Sequence, residues 1–472
     1  MQIPTHNTPW SRLTVGASAS FERTCTEQDL LMFAHASGNR NPVNLPDLND
    51  PDDAARAPAM WVGSLVSALL GNVLPGPGTR YLRQDLRFHA KVTVGDRLKV
   101  QVICKSKDLE PMATFTTKIY NQDKVLVCSG DAEVEAPQTL QAIELKDLPP
   151  LILGNKDHFA ALLQGAKQLP QLVTAVVCPE DVNSMGGVVL SVQEGLIRPI
   201  LVGHPERMAR IAAELGVDIS QWPQVHETEP RDAAVAAVAL AREGKVGAIM
   251  KGAIHSDELL AAVVSKERGL RGSRRLSHVF VMDAPTMDHL LFISDAAINI
   301  APDLITKVDI VQNSVDLARA CGLDKPRVGI LSAVETINPA IPSTLDAAVL
   351  SKMAERGQIK GATVDGPLAM DNAIDLGAAR TKGLDSLVAG RAEVLIVPNL
   401  EAGNMLAKEL TFVAQADAAG LVMGARVPVI LTSRSDNDRS RLVSCALALL
   451  YEHWRQTGRS AVEVKQATEV QA

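Results

Sequence analysis

Hydrophobic and polar residues follow a strand-rich pattern in the first part of the chain. A helical pattern over Glu27 to His35 leads into the turn-forming string SGNRNP, and a long apolar helix is predicted from Met60 to Leu74. After residue 80, apolar and polar residues alternate in four runs, as in strands with one buried face. The runs are YLRQDLRFHAKV, DRLKVQVICKSK, MATFTTKIYN and KVLVCSGDAEVEA. This pattern predicts an α+β layer fold in which a curved sheet wraps one long helix.

The second part alternates short β-branched runs with alanine-rich amphipathic helices such as RDAAVAAVALAREG. The predicted strands are LVTAVVCP, RPILVG, VGAIMKG, AAINIAP, RVGILSA, VLIVPN and VPVILT. Strands that alternate with helices form βαβ units, so we predict a mainly parallel sheet with both faces covered. About 320 residues is long for one such layer. We therefore expect two α/β lobes that share a cleft.

A proline-bearing segment without a clear period separates the two patterns. It covers residues 137–155, PQTLQAIELKDLPPLILGN, and we predict that it is a linker. The sequence of 472 residues is thus divided into an N-terminal domain over residues 1–136, the linker, and an α/β domain over residues 156–472.

Charge and composition exclude several classes of partner. The net charge is −7 and aromatic residues make up 3%, so neither a basic nor a base-stacking surface for nucleic acid is expected. Residues 57–79 carry no charge, but their three prolines and four glycines fit a buried helix and its exit loop better than a membrane span. The string MQIPTHNTPW lacks the segments of a signal peptide. We expect a cytoplasmic protein without a nucleic-acid or membrane partner.

The six cysteines are scattered through apolar patterns, with no close pair and no Cys–His spacing typical of a metal site. They are Cys25, Cys104, Cys128, Cys178, Cys321 and Cys445. Buried free thiols in a reducing compartment are the expected state. We predict neither a metal site nor a permanently bound cofactor.

A polar turn between a strand and a helix is the main candidate for chemistry. Residues 428–441, PVILTSRSDNDRSR, form a β-branched run that ends in hydroxyls, an arginine and carboxylates before an apolar-periodic helix. In open α/β sheets, ligands bind at the carboxyl ends of strands, where helix N-termini present free N–H groups to anions. Ser433 offers a hydroxyl, Arg434 a fork for phosphate, and Asp436 and Asp438 carboxylates that can act as bases. The alternative is a polar loop in which a serine or aspartate caps the helix.

Two strings in the N-terminal domain, FAHASGNRNP and YLRQDLRFHAKVTVGDRL, resemble the MaoC-like hotdog dehydratases, the (R)-specific enoyl-CoA hydratases. In that family a loop of the approximate form S-G-D-x-N-P-x-H supplies an aspartate and a histidine that activate and deliver water. The matching positions here are Asn39 and Asn44, and an amide cannot exchange a proton at neutral pH. The resemblance implies a hotdog fold that is degenerate as a hydratase and is left with dimerisation and docking of CoA thioesters.

Four long segments of the α/β domain carry a second resemblance. They are MKGAIHSDELL (250–260), RRLSHVFVMDAP (274–285), VDGPLAMDNAI (364–374) and PNLEAGNMLAKELTFVAQADAAGLVMGARVPVILTSRSDNDRSR (398–441). In this order they resemble the phosphate acetyl/butyryltransferase family, which converts acyl-CoA and phosphate to acyl phosphate and CoA. The order of the two domains resembles the fusions called bifunctional enoyl-CoA hydratase/phosphate acetyltransferase.

The second resemblance implies direct attack of phosphate on the thioester. Ser433 would hydrogen-bond the phosphate or the oxyanion, Arg434 would bind phosphate, and Asp436 or Asp438 would exchange a proton with the CoA thiol. Further candidates for phosphate or CoA binding are Arg275, Lys251, Gly252, Asn404 and Asp371. Related butyryltransferases tend to carry an arginine in the helix after the Lys-Gly strand. Here that helix has the sequence DELLAAVV, which leaves Arg434, Arg275 or Arg439 to capture phosphate.

Three functions remain open on the sequence. The first is a phosphate acyltransferase with acyl-CoA and phosphate as its small-molecule substrates and a degenerate hydratase-like domain. The second is a truly bifunctional protein that keeps (R)-specific enoyl-CoA hydratase activity, and the third is a non-catalytic scaffold that binds CoA thioesters. A homo-oligomer is expected in each case, because hotdog sheets usually pair. The segment Asp365, Gly366 and Pro367 is expected to form a turn.

Overall fold

The computed structural model describes residues 4–45, 55–107, 109–142, 157–431 and 438–462. The chain divides into two compact units, Met1–Asn155 and Lys156–Ala472. Each unit has its own sheet and its own hydrophobic core. Within the described ranges, no helix is long and apolar enough to cross a membrane.

The N-terminal unit has an antiparallel sheet with the strand order β1-β4-β5-β6-β2, and β3 also pairs with β6. The strands are β1 (Ser18–Thr24), β2 (Arg80–Gln84), β3 (Arg87–Phe88), β4 (Arg97–Ser106), β5 (Met112–Tyr120) and β6 (Leu126–Glu135). The helices are α1 (Glu27–Ser37) and α2 (Ala59–Asn72). The predicted helices and three of the four strand runs are confirmed, whereas the run YLRQDLRFHAKV forms two short strands, β2 and β3.

Helix α2 is the core of this unit because it is apolar on nearly every side. Its residues Val66, Leu69 and Leu70 are fully buried, and they share one cluster with inward-facing strand residues such as Val100 and Phe115. Strand β4 alternates exposed and buried residues over most of its length, so one face of the sheet covers α2. A single long helix wrapped by an antiparallel sheet is the predicted hotdog arrangement.

Strand β1 was missed by the sequence analysis. It pairs only with β4, at the edge of the sheet, and none of its seven residues is fully buried. An edge strand of this kind lacks the strong alternation of apolar residues on which the other predictions rest.

The C-terminal unit contains one sheet of eleven strands within the described residues. The strands are β7 (Leu172–Val177), β8 (Ile197–Gly203), β9 (Gln224–His226), β10 (Ala248–Lys251), β11 (Ser277–Asp283), β12 (Leu291–Ser294), β13 (Arg327–Leu331), β14 (Thr363–Leu368), β15 (Val394–Ile396), β16 (Asp417–Met423) and β17 (Val429–Ile430). The helices are α3 (His158–Lys167), α4 (Val182–Gln193), α5 (Pro205–Glu214), α6 (Pro230–Arg242), α7 (Ser256–Val264), α8 (Leu304–Ala320), α9 (Pro342–Glu355), α10 (Met370–Ile374), α11 (Leu376–Thr381), α12 (Leu400–Phe412) and α13 (Asp438–Thr457).

This sheet has the order β14-β13-β15-β12-β11-β16-β17-β10-β7-β8-β9. Its outer strands pair in parallel, whereas β12, β11, β16 and β17 pair antiparallel with one another in the middle. The two parallel sets therefore run in opposite directions. The prediction of a mainly parallel α/β domain with two lobes is confirmed, and the lobes share one continuous sheet.

The predicted strand AAINIAP is wrong, and the true strand β12 lies directly before it. The carboxylate of Asp295, the residue after β12, accepts backbone hydrogen bonds from Ala297 (3.0 Å), Ile298 (3.1 Å) and Asn299 (3.0 Å). Three N–H groups that converge on one side chain fold this segment into a turn and leave no ladder for a strand.

The turn predicted for Asp365, Gly366 and Pro367 is also wrong, because all three residues belong to β14. This strand lies at the end of the sheet and pairs only with β13. An edge strand tolerates a proline, since one side of its backbone needs no donor. Strands β9 and β16 were not predicted; β9 has three residues, and β16 begins with an alanine- and glycine-containing run.

Helix α13 lies at the centre of the C-terminal unit. All its residues from Ser440 to Leu450 are buried, and it packs against α3, α4, α8 and β16. The apolar period predicted after the polar turn is therefore a core helix, which holds the end of that turn against the sheet.

Candidate active site

The carboxyl ends of β10 and β17 lie side by side. The two strands pair in parallel, with Met250 opposite Ile430, so Lys251 and Leu431 follow at neighbouring positions on the same edge. The polar turn starts directly after Leu431, and α13 begins at Asp438. Leu431, the described residue before the turn, thus follows β17 at the carboxyl edge of parallel strands, the place where such sheets bind ligands.

Three sequence-predicted residues of this turn, Ser433, Arg434 and Asp436, lie outside the described residues. Asp438 is the first residue of α13, and its side chain is 74% exposed. The Nη1 atom of Arg441 lies 3.9 Å from Asp438 Oδ1, and the Arg441 side chain is only 4% exposed. The structure therefore places one candidate base at a solvent-facing helix start with a buried positive charge beside it.

Lys251 is buried rather than exposed on the surface. It is the last residue of β10 and 6% exposed, and its Nζ lies 3.4 Å from the carbonyl oxygen of Gly252. A surface lysine before a turn was the alternative to a ligand contact. A buried ammonium group requires polar partners around it, so Lys251 makes the interior of this edge polar and positively charged.

Gly252 allows β10 to approach the neighbouring strand β7 very closely. Its N–H donates to the carbonyl of Val177 at 2.8 Å. A Cβ atom on this residue would lie 2.3 Å from the Cys178 oxygen and 2.5 Å from the Val177 oxygen. Backbone atoms cannot yield by that much, so the chain after Lys251 can follow this path only with glycine.

Arg439 is already bound to protein carboxylates. Its Nη2 donates to Asp157 Oδ1, and its Nε lies 3.6 Å from Asp417 Oδ2. The hydrogen bond with Asp157 raises the pKa of Arg439 further above its usual value. Two of the donors of this guanidinium group thus face protein carboxylates, while the side chain as a whole is 43% exposed.

The remaining candidates lie in the other half of the sheet. Arg275 precedes β11, and both its N–H and its Nη1 bind Asp309 Oδ2, at 3.1 and 2.9 Å. Asn404 lies on α12, where its amide donates to the carbonyl of Ala296 at 3.3 Å. Arg275 stands at the amino end of β11, which runs in the same direction as β10 and β17, whereas α12 follows the carboxyl end of β15, which runs in the opposite direction. The sheet pairing therefore places these residues at a different edge from Lys251.

Asp371 follows β14 in the same half and forms an ion pair of 3.4 Å with Lys382. The backbone N–H of Asn372 is the main cause that lowers the pKa of Asp371, with Lys382 contributing in the same direction. Lys382 also binds Glu335 at 3.0 Å. Asp371 is thus one of two carboxylates that share a single lysine.

A buried histidine in the centre of the sheet gave no signal in the sequence. His278 is 2% exposed, and burial lowers its pKa to about 4. The negative charge of Asp295 acts in the opposite direction and raises the pKa. Its backbone N–H donates to Asp295 Oδ1 at 3.2 Å. Its ring Nδ1 has no hydrogen-bond partner within the described residues. The imidazole is therefore neutral near pH 7 and contributes no charge.

In the N-terminal unit, the two asparagines at the hydratase positions make local hydrogen bonds. Asn39 Oδ1 accepts the N–H of Asn41 at 3.2 Å, and Asn44 Nδ2 donates to the carbonyl of Arg56 at 2.7 Å. Asn44 also lines a cleft of about 360 Å³ together with His89 and an apolar wall that includes Val62. The cleft is large enough for part of a small molecule.

Among the described residues, no group of three or more histidine, cysteine, aspartate or glutamate side chains is arranged to hold a metal ion. The groups available for chemistry at the carboxyl ends of β10 and β17 are cations, carboxylates and backbone N–H groups. These groups suit a phosphate-containing substrate and a proton transfer.

Comparison with known proteins agrees with this geometry. Residues 220–449 match the family described as phosphate acetyl/butaryl transferase. The phosphate acetyltransferase of Rhizobium meliloti is 54% identical over 300 residues, which cover 64% of this chain and 95% of that relative. The chain belongs to the phosphate acetyl/butyryltransferase family. As a member of this family it is an acyltransferase.

Two solved structures are also similar. A branched-chain phosphotransacylase from Enterococcus faecalis is 29% identical, covers 60% of this chain and 99% of its own, and superposes with a TM-score of 0.52. An R-hydratase from Pseudomonas aeruginosa, in the unliganded form, is 38% identical and covers 32% of this chain and 98% of its own, with a TM-score of 0.30.

Proposed function

We propose that this member of the phosphate acetyl/butyryltransferase family converts acyl-CoA and phosphate to acyl phosphate and CoA by direct attack. A phosphate oxygen bonds to the thioester carbonyl carbon, the C–S bond breaks, and the sulfur leaves as a thiolate that takes up a proton. In reverse, Asp436 or Asp438 accepts the proton of the CoA thiol. No covalent acyl-enzyme is needed when both substrates are bound together.

Arg434 is the proposed phosphate ligand because its planar fork matches two phosphate oxygens. Ser433 donates to the phosphate or to the oxyanion that develops on the carbonyl. Lys251 and Gly252 border this turn, and the buried ammonium group of Lys251 adds positive charge where the phosphate and the oxyanion would lie. Arg275, Asn404 and Asp371 remain candidates for contacts with other parts of the substrates.

The parallel pairing of β10 with β17 is the observation that carries this proposal. It puts the buried Lys251 beside the point where the polar turn leaves the sheet, in a chain of this family.

The test is phosphate-dependent release of CoA thiol from acetyl-CoA and butyryl-CoA by the full chain. The variants are Arg434→Ala, Asp436→Asn and Asp438→Asn, with Asp232→Asn as the control, since Asp232 is exposed in the first turn of α6. We expect Arg434→Ala to raise KM for phosphate, and one of the two turn variants to lower kcat about 10²- to 10⁴-fold. Thiol release that proceeds equally well without phosphate would instead indicate a thioesterase.

For the N-terminal unit we propose an acyl-thioester-binding role without hydratase activity. Asn39 and Asn44 are both engaged in local hydrogen bonds, and neither can exchange a proton. The cleft beside Asn44 offers an apolar wall to an acyl chain. Crotonyl-CoA should therefore bind without being hydrated, which equilibrium binding and loss of enoyl absorbance can measure; a clear hydration rate would favour the bifunctional alternative.

We further propose that the protein is a cytoplasmic homo-oligomer that holds no resident cofactor. The six buried free thiols support a reducing compartment. Light scattering of the full chain during size-exclusion chromatography measures the oligomeric state, and a monomeric mass would refute this part of the proposal.

A further inference from the structure

Arg439, the second residue of α13, ties the start of this helix to two other elements. Its Nη2 donates to Asp157, the N-cap of α3, and its Nε lies 3.6 Å from Asp417 at the start of β16. Asp157 Oδ1 also accepts the N–H of Ala160 at 3.0 Å. The same carboxylate therefore caps α3 and holds Arg439, so that the starts of three elements meet at one guanidinium group.

The two partners of Arg439 have further polar neighbours, Asp283 beside Asp417 and His158 beside Asp157. Asp417 pairs with Asp283 in the register of β16 and β11, which places two carboxylates side by side. Asp283 Oδ2 accepts the N–H of His158 at 2.8 Å, and its Oδ1 lies 2.7 Å from the His158 ring Nδ1. Carboxylates at paired positions repel each other, and Arg439 brings a positive charge to Asp417 while His158 contacts Asp283.

The position of this cluster bears on the turn between β17 and α13. In the sequence the turn follows Leu431, the residue after β17, and it precedes Arg439 in α13. The first N–H groups of a helix have no intrahelical partner, and helix ends fray. A side chain that anchors the first turn of α13 at two carboxylates suppresses this fraying.

We propose that Arg439 is a positioning residue for acyl transfer. Through Asp157 and Asp417 it fixes where α13 begins, and it thereby orients Asp438 and the end of the polar turn. The inference rests on the proposed function of that turn. It also gives Asp157 a role, because the carboxylate that caps α3 is coupled through Arg439 to the site of acyl transfer.

A positioning role and a phosphate-binding role for Arg439 make different kinetic predictions. A phosphate ligand lost from the ground state raises KM for phosphate, whereas misplacement of the proton-transferring group lowers kcat. Misplacement by about 1 Å reduces the rate on the order of 10²-fold. The split between kcat and KM therefore separates the two roles.

The chain offers a matched control at the other end of the same helix. Arg455 is 44% exposed and binds Glu452 Oε1 at 2.8 Å, while Arg439 is 43% exposed and binds Asp157. Replacing Arg455 by glutamine removes an arginine–carboxylate pair from α13 far from the turn. A general loss of helix stability would affect both variants, whereas loss of positioning affects only the one at Arg439.

The experiment measures kcat and KM for phosphate and acetyl-CoA with the full chain and the variants R439Q, R439K, D157N and R455Q, together with their melting temperatures. We expect R439Q to lower kcat about 10- to 100-fold with KM for phosphate within about threefold. D157N should give a smaller loss, since Asp417 remains. The double variant R439Q/D157N should be no worse than R439Q, because the two residues act as one unit.

R439K should recover part of the activity, since an ammonium group reaches one carboxylate but not both. R455Q should keep kcat within about twofold of the wild type. Equal kcat for R439Q and the wild type, or a loss confined to KM for phosphate, would overturn the inference. If R439Q fails to fold, D157N and R439K supply the same comparison. A wild-type chain without phosphate-dependent thiol release would instead refute the proposed function and leave the structural cluster as it is.

Discussion

At the scale of single residues, burial and ion pairs distinguish candidate site residues that the sequence alone presented as equivalent. Lys251, Arg275 and Arg439 were all cationic candidates, and their surroundings differ. Arg275 and Arg439 are bound to aspartates, whereas Lys251 is buried at the edge where the polar turn begins. The partners of the arginines come from elements far away in the chain, so no local pattern could have revealed them.

The first prediction concerns Lys251. Lys251→Met should lower kcat/KM at least about tenfold, because a preorganised positive charge is lost from a water-poor site and its partners remain buried. Lys251→Arg should also be impaired, since a planar guanidinium group is larger than the ammonium group that is buried there. The control is Lys245→Met, a side chain 62% exposed. Unchanged kinetics of Lys251→Met would place Lys251 outside the site.

The second prediction concerns Gly252. Gly252→Ala should destabilise the fold by about 1–3 kcal/mol, because its Cβ would clash with the backbone oxygens of Val177 and Cys178 at the end of β7. Gly186→Ala is the control: it lies in α4 with no atom within 4 Å of the added Cβ, so it should stabilise by about 0.5–1 kcal/mol. Urea unfolding measures both. Equal stabilities of the two variants would contradict the close approach of β10 and β7.

At the scale of elements, strand pairing decides which polar ends come together. The runs VGAIMKG and VPVILT are more than 170 residues apart by the printed numbering, yet they are neighbours in the sheet. β11, β12 and β16 reverse the direction of half of the sheet, which separates the ends of β12, β14 and β15 from those of β10 and β17. Each strand alone carries no information about this order.

The third prediction follows from the apolar elements that enclose the cysteines. Burial raises the pKa of Cys128 and Cys445 to about 11, and that of Cys25 and Cys178 to about 12. On the order of 0.1% or less of such thiols is ionised at pH 8. Ellman's reagent should therefore react slowly with the native protein and titrate all six thiols after unfolding in urea. Rapid labelling of native protein would show that a cysteine is accessible.

At the scale of the whole molecule, the two units have separate hydrophobic cores. The N-terminal core surrounds α2, and the C-terminal clusters flank the eleven-stranded sheet. The relative from Rhizobium meliloti corresponds over 95% of its length to 64% of this chain. An acyltransferase of this family therefore exists without the rest of the sequence.

The fourth prediction is that the two units fold and act separately. A fragment of residues 156–472 should keep kcat for acyl transfer within about threefold of the full chain, because Asp157, Arg439 and the sheet are all retained. A fragment of residues 1–142 should fold, as circular dichroism can show, and leave crotonyl-CoA unhydrated. An inactive but folded C-terminal fragment would mean that the N-terminal unit takes part in acyl transfer.

The sequence by itself determined the class of both units. Alternation marked the strands around α2, and short apolar runs marked β7, β8, β10, β13 and β15, because these segments bury faces with a regular period. It also singled out residues 428–441, since hydroxyls, an arginine and carboxylates follow a predicted buried strand there. Where backbone hydrogen bonds to a side chain decided the structure, as at Asp295, the apolar pattern was misleading.

Only the tertiary structure decided which of the charged residues can act together. The order and direction of eleven strands put Lys251 beside the polar turn and moved Arg275 away from it. The bond of Arg439 to Asp157 spans 282 residues. Contacts of this kind depend on chain segments that meet only in the folded protein, so periodicity, which reports on neighbours along one element, carries no trace of them.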